Sequence, residues 1–315
     1  MRPLLRRVVA KALRSQRVPF ALRSRLAWRR STGRWIARRP TTFTAKVRWK
    51  MLKDRRPLLH TFADKAAVRS YVERVAGAEY LTECYAVVSD PAELERESLP
   101  RQFVAKVSHA SGGIWIVSDA APDPRTVVHG VRQPGGTAHW ERVLVRPDAF
   151  EWPELVEALR TWLLCDYSDA YLEWAYRGLE RRVIVEELLA TDAGGVPDDY
   201  KIFVLNGTPR LVEVHSNRYL DHRRNFFLPD WTPLDVEYVY RRGAEVPRPA
   251  SLEEMIRVAE ALGQVVDFVR VDLYEVGGRV VFGELTNYPE AGSGSFDPPS
   301  FDEELGAWWH LPARY

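Results

Sequence analysis

Residues 268–294, FVRVDLYEVGGRVVFGELTNYPEAGSG, restrict the architecture more than any other stretch of the chain. Two strand-like runs flank Gly277-Gly278, and a glycine-rich loop follows. Val269, Val271, Leu273, Val281 and Leu285 sit at odd positions, whereas Arg270, Asp272, Glu284 and Thr286 sit at even ones. A period of two places such sets on opposite faces of a sheet. The hairpin is therefore a parity problem. A two-residue turn pairs Val276 with Arg279 and sends Asp272 and Glu284 to opposite faces. A three-residue loop, or a bulge at the glycines, brings Arg270, Asp272 and Glu284 together and gathers the apolar residues on the other face. We adopt the second register. Two carboxylates and a cation on one face suit a Mg²⁺-phosphate site, because Mg²⁺ takes one or two carboxylates plus substrate phosphates. The plain alternative is a half-exposed hairpin with ordinary surface charges.

The chain has 315 residues and is 46% hydrophobic, with 11 Trp, 13 Tyr and 12 Phe, so it can bury one large core or two smaller ones. Its net charge of +2 hides an asymmetry. Residues 1–50 hold 16 Lys or Arg and no acid, leaving 29 basic and 43 acidic residues in the remainder. A basic arm precedes an acidic body. Cys84 and Cys165 belong to no motif, which fits inert thiols in a reducing compartment. No apolar run approaches the ~20 residues needed to span a bilayer, and Arg and Lys interrupt the N-terminal apolar stretches, unlike a secretory signal. A cytoplasmic location is expected.

Residues 3–16, PLLRRVVAKALRSQ, read as a basic amphipathic helix that would lie on an anionic membrane, or dock on the acidic body or on a partner protein. Helices are predicted over 64–76, ending at Gly77, and over 154–164. Strands are predicted at 102–107, 114–117 and 183–189, with 121–137 read as a Pro/Gly-rich loop. Residues 200–216 read as a hairpin turning at Asn206-Gly207. A further helix begins at Ser251 with a Ser251/Glu254 capping box and ends at Gly263. Helices mixed with antiparallel hairpins make the class α+β.

Lys106 ends the strand QFVAKV and precedes SHASGGIWIV. Backbone N–H groups of a Ser/Gly loop can cradle phosphate oxygens, and the lysine supplies a point charge. The alternative is an edge-strand lysine before a turn. No Walker A loop is present. NRYLDHRRNFF, 217–227, clusters Arg218, His222, Arg223 and Arg224, which suits triphosphate or carboxylate recognition; the alternative is an exposed basic loop. The acidic body argues against nucleic acid as a partner. The histidines have no zinc-like spacing, and no nucleophile elbow occurs. Phosphoryl transfer needs positioning and charge stabilisation rather than a covalent side chain.

Taken in order, TTFTAKVRWKMLKDRRPLL, ADKAAVRSYV, LPRQFVAKVSHASGG, RVIVEELL, PDDYKIFVLNGTPRLVEV, DHRRNFF, LEEMIRVAEAL, FVRVDLYEV and VFGELTNYPEAGSGSF resemble the ATP-grasp superfamily, and more closely its TupA-like branch, named for teichuronopeptide biosynthesis. The blocks run from about residue 41 to the C-terminus. The resemblance implies an ATP-grasp fold, two α+β subdomains sandwiching the nucleotide. The corresponding division is a basic helical arm at 1–40, an N-terminal helical region at 41–100, a subdomain with a flexible phosphate loop at 101–190, and a metal- and substrate-binding subdomain at 191–315.

It also implies roles. Lys65 and Lys106 would contact the α- and β-phosphates of ATP, and the loop carrying Ser111, Gly112 and Gly113 would close over them. Glu186, Glu187 and Leu189 would border the adenine. Asp199, in the same DDYKIF block as Lys201, would sit where the family binds ribose. Arg218 and the HRR run would approach the triphosphate and the substrate carboxylate. Asp272 and Glu284 would hold Mg²⁺, with Thr286 as third ligand. The wider superfamily has Glu-x-Asn here; this chain has Glu284-Leu285-Thr286, with Asn287 one residue late.

The activity implied is an ATP- and Mg²⁺-dependent carboxylate–amine ligase working through an acylphosphate, with Arg270 or Arg223 stabilising the developing charge. The branch suggests joining an amino acid or peptide to a cell-surface polysaccharide precursor. The expected partners are ATP, a carboxylate substrate and an amine acceptor bearing sugar or amino-acid groups. The arm at 1–40 would meet the inner face of the membrane or an envelope-assembly protein. Two rivals are a nucleotide-binding scaffold without turnover and a kinase that stops at phosphorylation. Lys65, Lys106, Asp272 and Glu284 together favour the enzyme, and ADP release that requires an amine separates ligase from kinase.

Overall fold

The computed structural model describes residues 12–315 apart from 14, 16, 34, 122–124, 133–138, 192–194 and 217–221. The helix read over 3–16 therefore lies outside the described residues, except for 12, 13 and 15. The described helices are α1 (Phe20–Thr32), α2 (Phe43–Lys53), α3 (Leu58–Ala63), α4 (Ala67–Val75), α5 (Trp152–Leu163), α6 (Tyr167–Tyr171), α7 (Leu252–Gly263) and α8 (Ser300–Ala307). Among them, none is long and apolar enough to cross a membrane.

Two six-stranded sheets carry the fold. The first contains β1 (Cys84–Val88), β2 (Phe103–Val107), β3 (Ile114–Val117), β4 (Arg125–Arg132), β5 (His139–Val145) and β6 (Val183–Glu186), in the order β1-β6-β2-β3-β5-β4. Its pairs are antiparallel except β3 with β5. The second, wholly antiparallel, contains β7 (Asp199–Leu205), β8 (Thr208–Ser216), β9 (Arg223–Phe227), β10 (Pro233–Leu234), β12 (Phe268–Val276) and β13 (Arg279–Thr286), in the order β10-β9-β8-β7-β12-β13. A small pair, β11 (Glu237–Tyr238) with β14 (Phe296–Asp297), flanks it.

Alternation decides which residues reach each core. In β2, Phe103, Ala105 and Val107 are fully buried and join Leu155, Leu159 and Trp162 of α5, while Val104 and Lys106 are left on the other face. Every residue of β7 is buried, because the second sheet is covered on both sides. One side receives the stripe Met255, Val258, Ala259 and Leu262 of α7. A Cβ at Gly263 would lie 2.4 Å from Val204, so glycine allows this close approach to β7. From α2, Phe43 packs edge-on against Phe268, at 5.3 Å, and beside Trp309. The Thr42 side chain starts that helix by accepting from the Ala45 N–H.

Two expectations change. Residues 125–132, read as loop, form β4 against β5; Thr126, Val127 and Val128 supply strand-forming residues between the Pro- and Gly-rich flanks, and the edge position tolerates Gly130. The Ser251/Glu254 capping box does not form. Ser251 Oγ and N–H instead donate to Glu275 Oε1 on the neighbouring strand, at 2.8 and 3.2 Å, and Glu254 accepts from the Tyr80 hydroxyl. Within the basic arm, α1 docks on the body: Arg23 pairs with Asp169 at 2.7 Å, and Arg177 lies 5.8 Å from the Phe20 ring.

Candidate active site

The β12–β13 hairpin settles its parity in an unexpected place. Gly277 and Gly278 both have positive φ, 57° and 75°, and make a two-residue turn that pairs Val276 with Arg279. The extra residue is not at these glycines but at Gly283, where the register slips between Asp272↔Glu284 and Leu273↔Phe282. A Cβ at Gly283 would approach Tyr274 to 2.8 Å and the Asp272 carbonyl to 3.1 Å, which explains glycine in the bulge. Asp272 and Glu284 thus stand directly opposite each other on one face.

The same face continues across the sheet as a row of buried polar residues. Arg270 grips Asp272 with two bonds of 2.7 Å and reaches Thr286 Oγ1 at 2.9 Å and Glu284 Oε1 at 3.4 Å. Lys201 bridges Asp272 and Asp199, the latter at 2.6 Å. Glu213 accepts from His215 at 2.9 Å and lies 3.0 Å from Arg224, whose Nη2 reaches Glu290 at 2.7 Å. Burial pushes Asp272 up to about 6 against the pull of Arg270 and Lys201. Burial, with the charges of Lys201 and Arg224, drives His215 far below its ordinary value and keeps it neutral.

The first sheet supplies the opposite wall. Lys106 pairs with Glu186, which also accepts from Arg69 at 2.7 Å and Thr82 at 3.2 Å. Burial favours the neutral acid, but Lys106 and Arg69 outweigh it and hold Glu186 below its usual value. Lys65 bonds the Ala110 carbonyl, and its backbone N–H bonds Ser108 O. Burial, and then the neighbouring Lys106 charge, lower Lys65 to about 8 against the pull of Glu284. The loop after β2 is anchored at both ends: His109 Nε2 meets Cys165 O at 3.1 Å, and Val107 N–H reaches Gly113 O. Its glycines fit tight ground, since a Cβ at Gly112 would lie 2.9 Å from Trp140 and one at Gly113 2.9 Å from Val107.

One cleft is lined by Lys65, Lys106, Ser111, Gly112, Glu186, Glu187, Leu189, Asp199, Asp272 and Glu284, gathering residues from both sheets. Lys201 and Arg270 lie just behind them. Gly113 is turned into the packing against Val107 and Trp162. Arg218 lies outside the described residues. Arg223 pairs with Ser216, on the opposite side of β9 from Arg224, so alternation brings Arg224 to the polar face in its place. Asn287, one residue past the expected position, is buried and donates to the Leu59 carbonyl, leaving the Thr286 hydroxyl on the site face. Glu213 and His215 were missed; two ionisable residues at alternate positions of an otherwise apolar strand, LVEVHS, were the available signal. Glu173, buried near Arg48, gave no signal.

The donors suit Mg²⁺ shared with phosphates rather than a closed protein cage. Asp272 and Glu284 provide hard oxygens on paired positions, and Asp272 accepts three bonds of the roughly four a carboxylate can take. No cluster of three or more His, Cys, Asp or Glu able to hold a metal occurs among the described residues.

The profile of a family described as TupA-like ATPgrasp matches residues 45–310. No curated protein matches the chain. Solved structures similar to it include the RiPP-associated ATP-grasp ligase of Chryseobacterium gregarium in complex with ADP and a leader and core peptide, at 11% identity and a TM-score of 0.38 over 81% of this chain and 60% of that one. The D-alanine–D-alanine ligase of Bacillus anthracis complexed with ATP gives 12% identity and 0.37 over 73% and 56%. A RimK domain ATP-grasp protein of Sphaerobacter thermophilus gives 12% identity and 0.40 over 81% and 69%. The chain thus spans somewhat over half the length of the first of these.

Proposed function

The chain belongs to the TupA-like ATP-grasp family, and from that premise we propose that it is an ATP- and Mg²⁺-dependent ligase joining a carboxylate to an amine. The observation that carries the reading is the meeting of Lys65 and Lys106 with Asp272 and Glu284 in a single cleft. Two cations suit the phosphates, and two carboxylates suit the metal ions that neutralise phosphate charge. Lys106 and Lys65 hold and orient the triphosphate of ATP. Glu187 and Leu189 border its base, Asp199 faces its ribose, and Arg270 fixes Asp272 and Thr286 relative to Glu284.

In this reading a substrate carboxylate oxygen attacks the γ-phosphorus and ADP leaves. An amine then attacks the acyl carbon, and phosphate leaves with the carboxyl oxygen. Arg224, in place of Arg223, and Arg270 present positive charge on the face where negative charge develops. The character of the family favours an amino acid or peptide and a cell-surface polysaccharide precursor as the joined partners.

The test is ADP release from ATP and Mg²⁺, screened over carboxylates with and without amines. Release that needs both substrates supports the ligase. Release with an acid or alcohol alone points to a kinase, and ATP binding without release in any combination points to a scaffold.

A further inference from the structure

The basic arm has no part in the reaction described so far. Its first described helix, α1, is divided between two faces. Phe20, Arg23, Ser24 and Trp28 are buried against the body. Arg23 pairs with Asp169 there, and the Trp28 ring lies 5.6 Å from the Arg48 guanidinium of α2. Leu22, Arg25 and Arg29, at i, i+3 and i+7, make an exposed stripe along the helix, and Arg30 is exposed beside them. The inner face answers its arginine with an acid of the body. The outer face does not: among the described residues, Arg23 is the one α1 arginine paired with a carboxylate.

The end of the helix adds to the same face. Gly33 takes φ of 73°, and its N–H bonds the Arg29 carbonyl at 2.9 Å, a left-handed stop that glycine adopts without strain. The chain then turns back, and the Arg29 guanidinium lies over the Trp35 ring, 4.7 Å from its centroid. Trp35 is nevertheless 55% exposed, and Leu22 45%. Arg38 and Arg39, also exposed, follow Trp35 closely enough to lie at most roughly 14 Å from it along the chain. Residues 1–50 contain no acid to offset these charges, although the rest of the chain holds 43. A face kept for solubility mixes charges of both signs and has no use for an exposed tryptophan.

We propose that the outer face of α1, continued to Arg39, docks the protein on an anionic lipid membrane. The guanidinium groups reach lipid phosphates while the arginine stems cover apolar surface. Leu22 and Trp35 enter the boundary between headgroups and acyl chains, the level at which tryptophan is enriched. Phosphate contact alone gives Leu22 no role. A bilayer is the partner that uses both halves of this face, charge at the headgroups and apolar side chains below them. None of these residues lines the nucleotide cleft, so the dock stands whatever reaction the cleft performs.

Sedimentation of the full chain with vesicles tests this, using phosphatidylcholine alone and phosphatidylcholine mixed with phosphatidylglycerol. Binding is expected to the mixed vesicles and not to phosphatidylcholine alone. It should weaken as salt rises from about 0.1 M to about 1 M, where the screening length shrinks from roughly 10 to roughly 3 Å. The triple variant Arg25→Gln, Arg29→Gln, Arg30→Gln should lose roughly tenfold or more in partition, since each basic residue at an anionic surface contributes roughly fivefold. The double variant Leu22→Ser, Trp35→Ser should lose severalfold on mixed vesicles and nothing on a DNA duplex or an acidic peptide measured in parallel. All these side chains are exposed, so both variants should keep the wild-type melting temperature. The two are independent, and one that fails to fold leaves the other to decide. No binding to mixed vesicles overturns the dock, and so does wild-type binding by the arginine variant. Vesicle binding that ignores Leu22 and Trp35, and is matched by the duplex or the acidic peptide, makes the face a general polyanion site and overturns the dock as well.

Discussion

On the first sheet, Lys106, Glu186 and Arg69 form a small ion cluster whose cations are each 18% exposed at the side chain. On the second, Arg270, Lys201, Asp199 and Asp272 are buried almost completely and bonded to one another before any ligand arrives. One wall leaves its two cations partly exposed around a buried Glu186, and a cation that reaches solvent is easily transferred to a phosphate. The other fixes its charges in a medium of low dielectric, where each depends on its partner. The first wall is therefore suited to capturing a ligand, and the second to holding geometry during reaction.

The sharpest way to break this contrast is to remove one arginine from each wall. Arg270→Met leaves Asp272 buried with Lys201 as its remaining cation, and is expected to destabilise the fold by about 3–5 kcal/mol and to end ADP formation. Arg69→Met removes a partly exposed partner from the buried Glu186, which keeps Lys106 and Thr82, and is expected to cost about 1–3 kcal/mol, less than Arg270→Met. Denaturant midpoints on both variants make the comparison. Equal losses would mean that the walls do not differ in kind.

Glu284 is the exception on the rigid wall, with a side chain 39% exposed. Glu284→Gln keeps the shape and the bond to Thr286 but removes the charge that suits a metal. ADP formation should fall by more than about 100-fold, beyond the 10–100-fold typical of groups one step removed from a metal, while the melting temperature stays put. Retained turnover at saturating Mg²⁺ would take Glu284 out of the metal site. A lower melting temperature would make it a structural residue like Asp272.

Lys106→Ala tests the capturing wall. Glu186 keeps Arg69 and Thr82, so the fold should survive. ATP affinity should drop by roughly 1.5–3 kcal/mol, one charge-assisted phosphate contact. Calorimetry that finds wild-type affinity would return Lys106 to the status of an edge-strand lysine paired with Glu186.

Legibility in the sequence follows the same division. The strand periods of FVAKV and FVRVDLYEV place Lys106 and Asp272 on their faces without help from the rest of the chain, because alternation is a local property. The place of the turn at Gly277-Gly278 was legible too, but not its two-residue form, and the bulge expected at those glycines lies at Gly283 instead. Gly283 is needed only because Tyr274 and the Asp272 carbonyl press on it from the neighbouring strand. Arg223 and Arg224 are adjacent and chemically alike, and only the pairing of β9 with β8 decides which reaches Glu213. Arg48 lies within the TTFTAKVRWKMLKDRRPLL block and Glu173 in a segment without periodic or motif character, and the approach of α2 to residues 174–176 is a long-range event that neither segment announces. The fold class was thus readable from local patterns, whereas the packing of the site depends on contacts between elements.

The smallest expected effect concerns the loop that follows β2. His109 is buried with Nε2 on the Cys165 carbonyl, and burial lowers it to about 4. Its ordinary value near 6.5 applies in the unfolded chain. The unfolded state therefore binds the proton more readily between those values. The stability contributed by neutral His109 is present above pH 6.5 and is lost as pH falls toward 4. Between pH 6.5 and 5.5 this loss is at most about 1.4 kcal/mol. His109→Gln keeps a donor for the Cys165 carbonyl and removes the titration. Its melting temperature should decline less steeply than that of the wild type across this interval, while His215, common to both proteins, cancels from the difference. Parallel curves would mean that the loop opens to solvent and lets His109 protonate freely, and the first wall would then owe its phosphate-facing shape to bound ligand rather than to its own anchoring.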